Sequence, residues 1–211
     1  MTEKTLSEGL AILASRTTTV RLALYAYIGL STLAILTWAA TLALGVDQVN
    51  DPSNPLVASS GLASIAILLV YVGCIVTISM WIHRAHANLF AAGMDDLEFT
   101  PGWSVGWFFV PVALLFKPFQ AMRELWNRSH LADDSFTARA DYRLTAWWTC
   151  WLIGNFIDNV LLRAQGFAGT IGVIDLIAYA LHVAAAWFLL DIVNHVARAQ
   201  ASDLDASHAF A

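Results

Sequence analysis

The sequence predicts an all-α integral membrane protein with four transmembrane helices in two hairpins plus a short re-entrant or interfacial segment. Three observations lead there: the composition, four apolar runs long enough to cross a bilayer, and the one-sided placement of the basic residues. Of the 211 residues, 58% are hydrophobic and 13% charged, and the mean hydropathy is +0.62. A water-soluble domain is about half apolar and about a quarter charged. This chain therefore carries more apolar surface than one core of its size can hide, and the lipid bilayer is its first partner. Nine Trp suit a protein with two membrane–water boundaries, where indole rings settle. A formal charge of -5 argues against nucleic acid, because neutralising phosphates takes a basic face. Cys74 and Cys150 both lie in apolar runs, so no disulfide framework is expected.

Residues 1–19 read as an N-terminal cytoplasmic amphipathic segment, with Leu6, Leu10 and Leu13 at helical spacing. It carries Glu3, Lys4, Glu8 and Arg16 and has no short apolar core before a small-residue cleavage site. No cleaved signal peptide is expected, and the first apolar run serves as an anchor. Residues 20–199 form the membrane domain, with spans at 22–46, 56–82, 144–162 and 170–190. Each is about 20 residues or longer, enough for a hydrocarbon core of about 30 Å. The first two are joined by the polar turn 47–55, which has acids and no Lys or Arg, and the second two by residues 163–169. The stretch 103–116 is apolar and aromatic but only about 14 residues long and interrupted by Pro111, a length that fits a re-entrant or interfacial piece. An interfacial helix is expected over 118–128, with Phe119, Met122, Leu125 and Trp126 on one side and a Glu124–Arg128 pair on the other. Residues 200–211 form a polar C-terminal tail.

The basic residues fix the expected orientation. If 103–116 does not cross, Lys4, Arg16, Arg21, Arg84, Lys117, Arg123, Arg128, Arg139, Arg143 and Arg198 share one side, and only Arg163 lies opposite. If it crosses, the bias falls to near balance. The positive-inside rule selects two hairpins with both termini cytoplasmic.

Polar residues inside the second hairpin form the first candidate site. Asn155 and Asp158 are i,i+3 on one span; Asp175, Tyr179 and His182 are i,i+4,i+7 on the next, so each set follows one helical face. Asp158 precedes the connecting loop and Asp175 follows it by similar distances, which suggests similar depth. A charge near the bilayer centre costs about 3 kcal/mol on insertion scales, so such groups turn inward, pair or take up a proton. The functional reading is a proton or cation relay with the two acids sharing charge. The structural alternative is hydrogen-bonded glue between helices. His83 with His86, and Asp191 with His195, read as boundary and helix-surface residues rather than ligands; no metal and no cofactor is expected. His-Glu-x-x-His does not occur, and the Gly-x-Ser-x-Gly at Gly102-Trp103-Ser104-Val105-Gly106 follows Pro101 with no strand pattern before it, so no catalytic set is read.

The second candidate is the block from Trp81 to Trp126. It contains Trp81, Arg84 and Asn88, then Pro101, Gly102, Trp103, Gly106, Trp107 and Pro111, then Lys117, Pro118, Glu124 and Trp126. This block resembles the bacterial membrane family catalogued as domain of unknown function 4328, and the paired-span layout extends the likeness to most of the chain. Leu114 stands where the family is expected to carry Asn, so no polar role follows there. The resemblance implies a location in the bacterial inner membrane and no known activity. Physically, the block reads as a cytoplasmic-side collar. Pro101 and Gly102 break the chain, Pro111 removes a backbone donor, and Pro118 restarts a helix. Arg84 and Asn88 form an i,i+4 pair able to bond backbone groups freed by those breaks. A half-helix lining a substrate cavity is the functional reading, and a wedge sealing the bundle the structural one. The function that follows is a non-enzymatic scaffold or regulator, with a membrane protein or a second copy as partner. The alternative is a small oligomeric transporter or ion-coupled carrier using the intramembrane acids.

Overall fold

The computed structural model describes residues 5–46, 54–130, 141–163 and 171–204. Residues 1–4, 47–53, 131–140, 164–170 and 205–211 lie outside the described residues, and with them most of the polar turn expected at 47–55, of the connection expected at 163–169 and of the tail expected at 200–211. Among the described residues six helices follow in order: α1 Leu6–Ala43, α2 Pro55–Ala91, α3 Pro101–Gly106, α4 Lys117–Ser129, α5 Tyr142–Arg163 and α6 Ile171–Ala199. Tight 3-10 turns at Trp107–Phe109 and Ala113–Leu115 join α3 to α4, and a π turn, Gln200–Leu204, extends α6. There is no strand among the described residues.

Local chemistry accounts for where the helices start and stop. Thr5 and Glu8 form a capping box at the head of α1: the Thr5 amide donates to Glu8 Oε2 at 3.3 Å, and the Glu8 amide to Thr5 Oγ1 at 3.4 Å. Asn54 caps α2 by accepting from the Leu56 amide at 3.1 Å, with Pro55 at the position that needs no donor. Both helices end in the same way. Gly45 and Gly93 sit at φ +63 and +81, and the next amides, Val46 and Met94, reach back to Thr41 and Leu89 at 3.0 and 3.2 Å. That geometry needs a left-handed residue, which glycine supplies without steric cost.

Among the described residues three helices, α1, α2 and α6, are long and apolar enough to cross a membrane. The 22-residue α5, expected as the third of four spans, is not among them, because Asn155, Asp158 and Asn159 dilute its apolar character. The 38 residues of α1 rise about 57 Å at about 1.5 Å each, nearly twice a hydrocarbon core of about 30 Å. The expected N-terminal segment and first span are thus one unbroken helix. In the same way α2 continues past residue 82 to Ala91.

The chain divides into two compact units. One comprises Ala23–Cys74 and Ala146–Trp187, the apolar parts of α1, α2, α5 and α6. Large apolar side chains such as Leu36, Leu62, Leu69 and Phe156 are exposed, while Ser31, Thr41, Ala178 and Ala185 are buried, as are Leu24, Trp147 and Trp148. Small residues at buried helix positions suit close packing in lipid, and so large an exposed apolar surface has no place in water.

The other unit comprises Met1–Leu22, Ile75–Thr145 and Phe188–Ala211. It has an ordinary core of Leu13, Trp81, Leu89, Met122, Leu125 and Ile192, all fully or nearly fully buried. Charged residues such as Asp95, Glu98 and Arg123 are exposed.

Candidate functional site

The motif block falls within the second unit and holds helix ends together. Trp81 is buried and its indole Nε1 donates to Thr17 Oγ1 on α1 at 2.9 Å. Thr17 in turn donates to Leu13 O at 2.8 Å, so α2 is fastened to α1 by a satisfied polar chain. Arg16 adds a hydrogen bond from its guanidinium to Met80 O.

One turn further on, a buried web begins at Arg84. Its Nε donates to Asn88 Oδ1 at 2.8 Å, and Asn88 Nδ2 donates to Gln200 Oε1 at 3.0 Å. Gln200 Nε2 donates to Ala85 O and to Ser129 Oγ, each at 3.0 Å. Asn88, Ser129 and Gln200 are fully buried and Arg84 nearly so. Arg84 and Asn88, expected to bond backbone groups freed by the proline breaks, instead bond each other, and through Gln200 they connect to Ser129 at the end of α4 rather than to the Pro-broken segment. Gly9 completes the web from α1: a Cβ there would lie 2.3 Å from Asn88 Oδ1 and 2.6 Å from Arg84 Nη2. Only glycine lets the α1 backbone come this close.

The Pro-broken segment is shaped by its own residues. Thr100 caps α3 by accepting from the Trp103 amide at 3.4 Å, with Pro101 in its first turn. Trp103 and Trp107 pack ring against ring at 4.7 Å. Gly106 clears the Trp103 ring, which a Cβ would meet at 3.1 Å, whereas Gly102 faces open space. After Pro111 the chain makes a γ-turn: Val112 sits at φ 67, ψ -53, and the Ala113 amide donates to Pro111 O at 2.8 Å. A β-branched residue at positive φ is strained by about 1–3 kcal/mol. Trp103, Phe109, Val112, Leu115 and Phe116 are all exposed along this segment, and Leu114 is half-buried.

Polar side chains tie the segment's approach to α4, whose residues Lys117–Ser129 cover the stretch read as an interfacial helix, with Pro118 buried in its first turn. Glu124 accepts from the Glu98 and Phe99 amides at 2.6 and 3.1 Å. Burial pushes its carboxyl above the ordinary value, against those two amide bonds, which hold it down. Lys117 pairs with Glu98 at 2.9 Å and lies 5.2 Å from the Phe99 ring centre. Arg128 pairs with Asp96 at 2.6 Å, so the Glu124–Arg128 pair expected along the helix gives way to bonds with the preceding loop. Trp126 packs against His130 at 4.5 Å and against His195 of α6 at 5.8 Å. The Arg143 guanidinium at the head of α5 lies 5.9 Å from its ring and donates to Asp191 at 2.6 Å. Asp191 and His195 do associate, at 3.2 Å.

The intramembrane set lies in the apolar unit. Asp158 Oδ2 on α5 is 2.8 Å from His182 Nε2 on α6, the contact that similar depth suggested for Asp175. Gly154, one turn before Asp158, makes the approach: a Cβ there would lie 2.9 Å from His182 Cε1. Asn155 Nδ2 turns back to Trp151 O at 2.7 Å, and Asn159 Nδ2 to Asn155 O at 2.9 Å. Asp175 and Tyr179 are half-buried on the α6 face that carries His182.

Sequence reasoning passed over Gly9, Thr17, Ser129, Gly154 and Gln200. The signal for Gln200 was present, since Leu189, Ile192, Val193 and Val196 form a buried stripe on α6 that Gln200 continues at i+4.

No curated protein and no solved structure matches the chain. Residues 53–198, which contain the whole motif block and both members of the Asp158–His182 pair, match the model described as Domain of unknown function (DUF4328), and the chain belongs to that family.

Proposed function

We propose that the chain is a four-span protein of the bacterial inner membrane, with two hairpins and both termini cytoplasmic, and that its role is that of a non-enzymatic scaffold or regulator. The observation that carries this reading is the use to which the family motif is put. Trp81, Asn88 and Trp126 are engaged with neighbouring helices or the turn that extends α6, Arg84 with Asn88, and Glu124 with the loop before α3, which makes a collar. The hollow beside Trp103, Trp107 and Lys117 measures about 160 Å³, below the range of about 300–1,000 Å³ for ligand pockets.

Two further arguments support the topology. The amide nitrogens of Asn155 and Asn159 are met by Trp151 O and Asn155 O, and Asp158 Oδ2 by His182, which lowers the cost of carrying these groups across lipid. The stacked Trp148–Trp151 pair, 4.9 Å between ring centres, supplies indoles near its starting boundary. The segment 101–116 exposes apolar side chains on irregular backbone. Hydrocarbon does not tolerate irregular backbone facing lipid, whereas the interface offers lipid to the side chains and water to the peptide groups. We therefore assign it to the cytoplasmic interface, and the partner of the collar to a membrane protein or a second copy.

The rival carrier reading rests on Asp158, Asp175 and His182. It is tested on the purified full chain in proteoliposomes under an imposed pH gradient. The scaffold reading expects wild type and Asp158→Asn to pass no more protons or cations than protein-free liposomes. A pH-dependent flux in wild type that a folded Asp158→Asn protein has lost would replace it with the carrier.

A further inference from the structure

A cleft of about 450 Å³ lies between the N-terminal part of α1 and the C-terminal end of α6, within the polar unit. Its polar lining is Thr17, Thr18 and Arg21 from α1 with Asn194 and Arg198 from α6, and among the described residues no carboxylate lines it. Leu10, Leu13 and Ala197 make the rest of the wall apolar. Arg21 and Arg198 are both exposed. We propose that this cleft binds the headgroup phosphate of an anionic phospholipid, held between Arg21 and Arg198; the proposal rests on the membrane reading above.

Depth argues for a lipid. Arg21 immediately precedes the uncharged run that begins at Leu22, and Leu22 is exposed, so the guanidinium of Arg21 stands at headgroup level when α1 crosses a bilayer. Direction argues for convergence of the two cations. Arg198 Nε donates to Asn194 O at 3.1 Å, which carries its guanidinium one turn back toward the apolar part of α6. Side chains on a helix tilt toward its N-terminus, which leads Arg21 back along α1 toward Thr17 and Thr18. Both directions lead inward along the cleft that Arg21 and Arg198 line, and the Nη hydrogens of Arg198 meet no acceptor among the described residues. Planar guanidinium forks suit phosphate oxygens. Thr18 Oγ1 donates to Ala14 O at 3.2 Å, so its lone pairs can accept from a headgroup hydroxyl. A cationic pocket at the cytoplasmic end of spanning helices is the arrangement that recognises anionic lipid.

The test is native mass spectrometry of the full chain released from detergent after incubation with phosphatidylglycerol or phosphatidylcholine, with inorganic phosphate and an acidic peptide as further arms. The expected result is retention of phosphatidylglycerol over phosphatidylcholine, weakened about tenfold or more in Arg21→Gln/Arg198→Gln. Arg123→Gln, on the exposed side of α4, should leave retention unchanged. If the double variant does not fold, each single variant should still weaken retention severalfold. Equal retention by the variants, equal binding of both lipids, or preference for the peptide or for free phosphate would overturn the proposal. Alkaline extraction of native membranes separates the two claims. Release of the chain would sink the membrane reading itself, whereas a chain that stays in the membrane with lipid retention unaffected by the substitutions would sink the lipid site alone.

Discussion

At the scale of single residues, Gln200 is the most heavily used side chain of the collar. Its carbonyl accepts from Asn88 and its amide nitrogen serves Ala85 O and Ser129 Oγ, which uses both kinds of group that a neutral amide offers. Replacing it strands buried partners, and the cost of unmet polar groups exceeds the net value of the bonds. Gln200→Ala should therefore lower stability by about 2–4 kcal/mol, while the exposed Ser202→Ala changes it by less than about 0.5 kcal/mol. Thermal melts of the purified variants in detergent check this, and equal melting temperatures would contradict it. The residue was hard to read from sequence because a glutamine followed by small polar residues has the composition of a frayed tail. Only the buried stripe of α6 distinguishes it. The partner of Asp158 was unreadable for a different reason. Matching residues by their distance from a connecting loop assumes that both helices leave it at equal height, and the register of α5 against α6 is set by the Gly154–His182 contact instead.

At the scale of elements, the breaks around α3 and α4 were legible, because proline and glycine interrupt helices for reasons that hold in any context. Their partners were not, since a sequence does not say which loop amide a carboxylate will meet. Glu124 fastens the loop at Glu98 and Phe99 to α4, and burial raises its carboxyl above the ordinary value. For an acid raised in this way, the folded state holds the proton more tightly than the unfolded chain. Its share of stability is fully present below the ordinary carboxyl pKa and is lost as pH rises through the raised one. Glu124→Gln removes that titration. The melting temperature of the variant should accordingly gain on wild type as pH is raised through this window. A difference that stays constant with pH would show that Glu124 does not titrate as burial requires.

At the scale of the whole molecule, composition and apolar runs were enough to read an all-helical fold with helices long and apolar enough to cross a membrane, because lipid demands length and apolarity together. The count of spans was less legible. α5 carries polar residues whose tolerance in lipid depends on partners such as His182, and those exist only once the helices pack. One unit exposes many bulky apolar residues, and the other has a buried apolar core and exposes charge alongside the apolar side chains of the 101–116 segment. The four-span account places the polar unit on the cytoplasmic side, and single-cysteine accessibility tests that most directly. In a Cys74→Ala, Cys150→Ala background, Val46→Cys and Arg163→Cys should label from outside intact cells with a membrane-impermeant maleimide. Asp95→Cys and Arg123→Cys, both at exposed positions of the polar unit, should label only after the membrane is permeabilised. Labelling of Arg123→Cys in intact cells while Asp95→Cys stays protected would mean that the 101–116 segment crosses the bilayer, which contradicts the account.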